Sequence, residues 1–363
     1  MALTVTVQSL LAEVVRRNAS DVHFAVGVPP TIRLDGQLRQ ITNLPSLDSN
    51  DIDYLLDELL TQPQRQLFAE KRELDFSFSF RIEGSQAARF RGNGYFELGR
   101  PALALRLIPD KVRSISQLLL PKPLVDVCHA RRGLFLVTGP TGHGKSTTMA
   151  ALIQEINLTR SCHIVTIEDP VEYLFHSERS IISQREVGSD TATFSEALRR
   201  VLRQDPDVIM IGEMRDLETI SAAITAAETG HLVIATLHTA DAAQSVDRII
   251  DVFPPEQQRQ IRLQVSSVLI GICSQQLLAV SGGGRIVATE LLLSSNAVRN
   301  CIREGKLGQI KSAMQTGSDL GMHTMEQDLA RLVRQGVLTY DAAAAYAYDL
   351  KDLERLVFDA PSP

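Results

Sequence analysis

No stretch of this 363-residue chain approaches the ~18 to 20 consecutive apolar residues needed to cross a bilayer, so direct membrane insertion is not expected. Any link to a membrane should run through a partner. Met1 to Leu11 lacks the basic start and long apolar core of a secretion signal. Cysteine is scarce, and Cys128, Cys162, Cys273 and Cys301 contain no C-x-x-C pair. They offer neither a zinc site nor a disulfide framework, which makes a reducing cytoplasm the expected location. Positive charge is not in excess, since the net charge is −6. That balance gives no general attraction to nucleic acid or acidic lipid. No internal repeat is visible. The remaining composition, 44% hydrophobic and 22% charged, belongs to a globular protein long enough for two domains.

The most informative segment that is present is Gly139-Pro-Thr-Gly-His-Gly-Lys-Ser146, followed by Thr147. It satisfies G-x-x-x-x-G-K-[ST] at every position. Gly133 to Thr138 before it is apolar and β-branched, as a buried parallel strand is, and Thr147 to Asn157 after it carries apolar residues at helical spacing. A phosphate-binding loop requires that strand–loop–helix context. Gly139, Gly142 and Gly144 let the backbone turn its N–H groups toward a phosphate chain, with Pro140, Thr141 and His143 between them. Lys145 can reach the β- and γ-phosphates, and the Ser146 hydroxyl can ligate Mg²⁺. The ligand expected is ATP with Mg²⁺.

The organisation changes near residue 110. Residues 5–17 read as an amphipathic helix. Short strands follow around Asp21–Ala25 and Thr31–Leu34, and an Asp35-Gly36 hairpin leads into Gln37–Ile41. Residues 49–70 look helical, and three more strands run to Ile108. Residues 1–110 therefore form a small α+β domain. The proline-rich segment 111–123 reads as a linker. Residues 124–295 alternate strand and helix as an α/β P-loop domain does, and residues 296–363 read as mostly helical.

Strands of such a sheet end in the polar residues that meet the ligand. His163–Ile167 runs into Glu168-Asp169, Asp207–Ile211 into Gly212-Glu213, and Leu232–Ala235 into His238. Glu213 is the candidate to polarise an attacking water. Many P-loop enzymes place a metal-binding Asp immediately before this Glu, but Gly212 stands here. Magnesium must then lean on Ser146, the phosphates, and Glu168 or Asp169. His231 and His238 bracket the last of these strands, and either is a candidate γ-phosphate sensor.

These motifs resemble the type II/IV secretion ATPases. Thr166-Ile-Glu-Asp-Pro-Val-Glu172, Gln184-Arg-Glu-Val187, Gly212-Glu-Met-Arg-Asp-Leu-Glu-Thr219, Ala227-Glu-Thr-Gly-His231 and Thr236-Leu-His-Thr239 follow the phosphate loop in that family's order. Ala297-Val-Arg-Asn-Cys-Ile-Arg-Glu304 is similar to the signature of the branch that retracts type IV pili. The resemblance covers nearly the whole chain. It implies a RecA-like ATPase domain behind a PAS-like N-terminal domain, a homohexameric ring, and catalytic roles for Glu213, Glu168, His231 and His238. It also implies arginines acting across subunit boundaries, for which Arg91 and Arg106, with Arg89, are the candidates. The partners implied are an inner-membrane pilus platform protein and an accessory retraction ATPase, with the ring working peripherally at the inner membrane.

Two residues depart from the family pattern. His143 replaces a small residue in the phosphate loop, where its imidazole is expected beside the β-phosphate, and Cys301 stands where the signature has Leu. Extension and type II secretion ATPases carry a four-cysteine zinc module that this chain cannot build. An accessory retraction paralogue and a non-hydrolysing nucleotide-binding scaffold are the remaining alternatives, although no catalytic group is missing.

Overall fold

The computed structural model describes residues 6–34, 36–41, 44–81, 87–280 and 283–359. Asp35 of the expected hairpin turn, Val5 of the expected first helix and the last four residues lie outside that set. The chain divides into two compact units. The first comprises residues up to Lys111 with Glu172–Leu174, and the second comprises Val112–Val171 with Phe175 onward.

In the first unit, β1 (Asp21–Phe24), β2 (Thr31–Leu34), β3 (Gln37–Gln40), β4 (Glu73–Arg81), β5 (Ala87–Glu97) and β6 (Arg100–Ile108) form one antiparallel sheet in the order β3-β2-β1-β6-β5-β4. Val7–Arg16 is helical and buries Leu10, Leu11 and Val14 among Val22, Phe24, Ile32 and Phe90. Residues 49–70 form two helices rather than one. Ser49–Leu59 ends at Leu60, whose backbone is extended, and Thr61 then starts Gln62–Lys71 with a capping box to Gln64.

The second unit is built on β7 (Gly133–Thr138), β8 (His163–Glu168), β9 (Ile181–Glu186), β10 (Val208–Ile211), β11 (Leu232–Leu237), β12 (Leu269–Ala279) and β13 (Arg285–Leu293), in the order β13-β12-β7-β11-β10-β8-β9. All neighbours are parallel except the β12–β13 pair. Helices cover both faces, so β7, β10 and β11 are buried throughout and read as unbroken apolar runs. Successive side chains alternate between two cores. Leu134, Leu136, Ile209, Ile211 and Val233 face one. Phe135, Val137, Val208, Met210 and Ile234 face the other, beneath helix Lys145–Thr159.

The proline-rich segment is not a free linker over its length. From Val112 it belongs to the second unit, where Ile115 and Leu120 are buried beside Leu124 and Phe135. Burying a side chain of that size gains about 1.5 to 3 kcal/mol, which outweighs the proline signal. Beyond β13, Val298, Cys301 and Ile302 of helix Asn296–Arg303 are buried, while Arg299, Arg303 and Glu304 are exposed. Helix Met325–Arg334 packs Met325, Leu329 and Leu332 against Leu278 and Ala288 of the β12–β13 pair, and Leu353 of the last turns closes that cluster.

Candidate nucleotide site

β7 delivers the chain to Gly139, whose φ of +138° only glycine adopts easily. A side chain there would also run into the carbonyl oxygen of Gln275 on β12. The loop turns through Gly142 and Gly144, at φ of +82° and +84°, and enters helix Lys145–Thr159. Three glycines at positive φ thus turn the backbone tightly ahead of a helix N-terminus, where orphan N–H groups and the helix dipole favour an anion. Lys145 is buried and donates from Nζ to the carbonyls of Gly139 (2.7 Å) and Pro140 (2.9 Å).

The end of β11 meets this loop. His238 Nδ1 lies 3.2 Å from Lys145 Nζ and 3.3 Å from Thr141 Oγ1. An ammonium group only donates, so Nδ1 is the acceptor and the ring proton sits on Nε2. Nε2 is 2.9 Å from Glu213 Oε1. The other carboxylate oxygen of Glu213 lies 2.7 Å from Arg215 Nη2. Burial pushes the Glu213 carboxyl up, but the hydrogen bonds from Arg215 and from His238 Nε2–H, with the charge of Arg215, outweigh it and hold it below its ordinary value. The result is a relay from the phosphate-loop lysine through His238 to an ionised Glu213. Arg215 is the member that sequence reasoning missed, although it stands two residues beyond Glu213.

Glu168, at the end of β8, is buried and accepts from Thr166 Oγ1 (2.6 Å) and Gln184 Nε2 (3.1 Å). Asp169 beside it is exposed. Gly212 has a packing reason for being glycine: a side chain there would stand 3.3 Å from Glu168 Cα and from the Ile167 carbonyl oxygen. Glycine lets β10 end against β8 without that crowding. Among the described residues no three His, Cys, Asp or Glu are grouped to hold a metal. That suits Mg²⁺, which takes one or two protein oxygens and fills the rest of its shell with phosphates and water. Ser146, at the start of the helix, is half-buried and could offer one such oxygen.

Two expectations need correction. His231 does not join His238. It precedes β11 at the opposite end of the parallel strands, where its carbonyl accepts from Gly133 N at the start of β7, and its Nδ1 lies 2.9 Å from the Ala226 carbonyl oxygen. Six strand residues separate it from the phosphate loop, roughly 20 Å at the usual rise per residue. The ring of His143 is likewise engaged elsewhere than at a β-phosphate. Leu277 N, on the part of β12 that extends past β7, donates to its Nδ1 (3.1 Å), and Gln275 Nε2 donates to its carbonyl (2.6 Å). Arg89, Arg91 and Arg106 belong to the first unit. There Arg89 donates to Ser77 Oγ (2.8 Å), Arg91 lies 4.0 Å from Asp75, and Arg106 Nε donates to Asp21 Oδ1 (2.8 Å).

Residues 2–335 match the family model described as type II/IV secretion system protein. The type IV pilus retraction ATPase PilT of Pseudomonas aeruginosa PAO1 is 46% identical over 337 residues, 93% of this chain and 96% of that protein. The type IV pilus ATPase PilU of the same strain is 37% identical over 96% of this chain and 91% of its own length. A crystal structure of the pilus retraction motor PilT with bound ADP matches at a TM-score of 0.89 and 46% identity, covering 97% of this chain and 99% of that one.

Proposed function

This chain belongs to the type II/IV secretion system protein family, and we propose that it is an ATP-hydrolysing motor that retracts type IV pili. The observation that carries the chemistry is the relay Lys145–His238–Glu213 at the mouth of an intact phosphate loop. Retraction is favoured over the accessory role because identity to PilT is 46% against 37% to PilU, and because residues 297–304 resemble the retraction signature.

In the reaction proposed, the loop N–H groups and Lys145 bind the phosphates of ATP. Ser146, with Asp169 or Glu168 in support, would hold Mg²⁺, which would neutralise phosphate charge. Glu213, ionised and aimed by the Nε2–H of His238, accepts a proton from the attacking water. Lys145 leaves the Gly139 and Pro140 carbonyls for the incoming phosphates. Arg91 or Arg106 of a neighbouring copy supplies positive charge to the transition state, which makes the working species a homohexameric ring. No helix among the described residues is long and apolar enough to cross a membrane. In this reading the ring works in the cytoplasm against an inner-membrane platform protein, as the likeness to PilT suggests, and the exposed charged side of helix Asn296–Arg303 is available for the moving contact.

Glu213→Ala should leave ATP binding near the parental level and cut turnover by roughly two to four orders of magnitude, the scale expected for loss of a general base. Lys145→Ala should weaken nucleotide binding itself. Steady-state turnover and fluorescent-nucleotide binding on the two variants check this. Parental turnover in the Glu213 variant would overturn the assignment of the base.

A further inference from the structure

The loop that follows His238 is held from an unexpected direction. Residues 238–241 connect β11 to helix Ala242–Asp251 and are themselves irregular. Tyr348, more than a hundred residues later, donates its hydroxyl to the Ala240 carbonyl (2.9 Å). The same hydroxyl accepts from Gln276 Nε2 (2.7 Å), which also donates to the Tyr346 carbonyl (3.2 Å). Gln276 lies between Gln275 and Leu277, the two residues of β12 that bind the phosphate loop at His143. One strand segment thus touches the phosphate loop through two residues and the C-terminal segment through the residue between them.

The segment around Tyr348 is itself anchored. Asp349 N donates to Glu326 Oε1 (3.1 Å), and Lys311 Nζ lies 3.4 Å from Glu326 and 3.4 Å from Asp352. Leu353 is buried against helix Met325–Arg334. A hydroxyl carried on so fixed a backbone can hold a loop in place. Burial, with the carboxylates of Glu290, Asp241 and Glu326 nearby and against the Gln276 hydrogen bond, pushes the Tyr348 hydroxyl up to about 12. It therefore remains a donor at any working pH.

We infer that Tyr348 is a positioning residue for ATP hydrolysis: by tying the C-terminal segment to the Ala240 carbonyl, it holds the loop that presents His238 to Glu213. The inference rests on the ATPase reading above. It makes the C-terminal segment part of the hydrolysis machinery, so that a displacement of that segment would be felt at His238.

Four chains test it: the parent, Tyr348→Phe, His238→Ala, and the double variant, each measured for ATP turnover, KM and thermal midpoint. Tyr348→Phe keeps the ring and removes only the hydroxyl. It should lower kcat by about tenfold, the effect of losing one hydrogen bond that orients a catalytic group, with KM and midpoint close to parental. In the His238→Ala background the same change should cost little further, because both substitutions remove the same contact. Parental kcat in Tyr348→Phe, or losses that multiply fully in the double variant, would overturn the inference. A fall in midpoint matching the loss of kcat would reassign Tyr348 to simple stability. Absence of turnover in the parent would instead defeat the ATPase reading, and the two failures are therefore distinguishable.

Discussion

Glu213 carries two donors on one carboxylate, and they pull in the same direction for different reasons. His238 aims it; Arg215, exposed, supplies full positive charge 2.7 Å away. Because Arg215 helps hold the Glu213 carboxyl below its ordinary value against burial, removing that charge leaves His238 alone to oppose burial, and the carboxyl moves up. In Arg215→Gln the acid limb of the profile of kcat/KM against pH, which reports the free enzyme's essential base, should move to higher pH. An unmoved limb would show that the limb belongs to another group. At this scale the turns of the phosphate loop were legible, since Gly139, Gly142 and Gly144 stand where the backbone takes a positive φ. Arg215 was not, because an arginine in a polar turn reads as solvated charge until a carboxylate is seen to bend back toward it. The engagement of His143 was illegible for a simpler reason: its partner, Leu277, is 134 residues away.

At the scale of elements, the strands that read clearly are the wholly buried ones, and β12 shows why others do not. It follows directly on helix Pro255–Val268 without a turn residue between them, and its middle is Ser274-Gln275-Gln276. Those polar residues break the apolar run because they serve the site: Ser274 accepts from Thr138 Oγ1 (2.8 Å), and Gln275 and Gln276 hold the phosphate loop and the C-terminal segment. A functional demand has overwritten the strand pattern. β13 contributes Glu290, which accepts from Ala242 N at the start of helix Ala242–Asp251 (2.8 Å). Burial is the main cause that pushes the Glu290 carboxyl up to about 7 from the usual 4.5, with Asp241 and Glu326 adding to it. The folded chain thus keeps this proton where the unfolded chain has released it. The stability so gained is fully present below about pH 4.5 and is lost as pH rises through about 7, a change on the order of 3 kcal/mol. Urea unfolding of the parent and of Glu290→Gln across pH 5 to 8 should show the difference in their stabilities changing in the variant's favour as pH rises. A constant difference would mean that Glu290 is ionised throughout.

At the scale of the whole molecule, the proposed ring rests on catalysis: phosphoryl transfer draws on positive charge beyond the lysine, and Arg91 or Arg106 of a neighbouring copy is proposed to bring it. Arg91 is the cleaner of the two arginines to test. Arg106 is hydrogen-bonded to Asp21, so its removal would also strand a largely buried carboxylate, whereas Arg91 stands 4.0 Å from an exposed Asp75. Assembled from mixtures, parental subunits poisoned with Arg91→Ala should lose turnover faster than the mole fraction of variant, and strict proportionality would place each site within a single subunit.

The central claim is that hydrolysis at Glu213 drives retraction, and the direct measurement is to watch pili in cells. Where Glu213→Ala is the sole copy of this chain, labelled pili should still extend while retraction events fall at least tenfold, the scale of a lost general base carried through to the motor. Pili that retract at the parental rate in such cells would contradict the account.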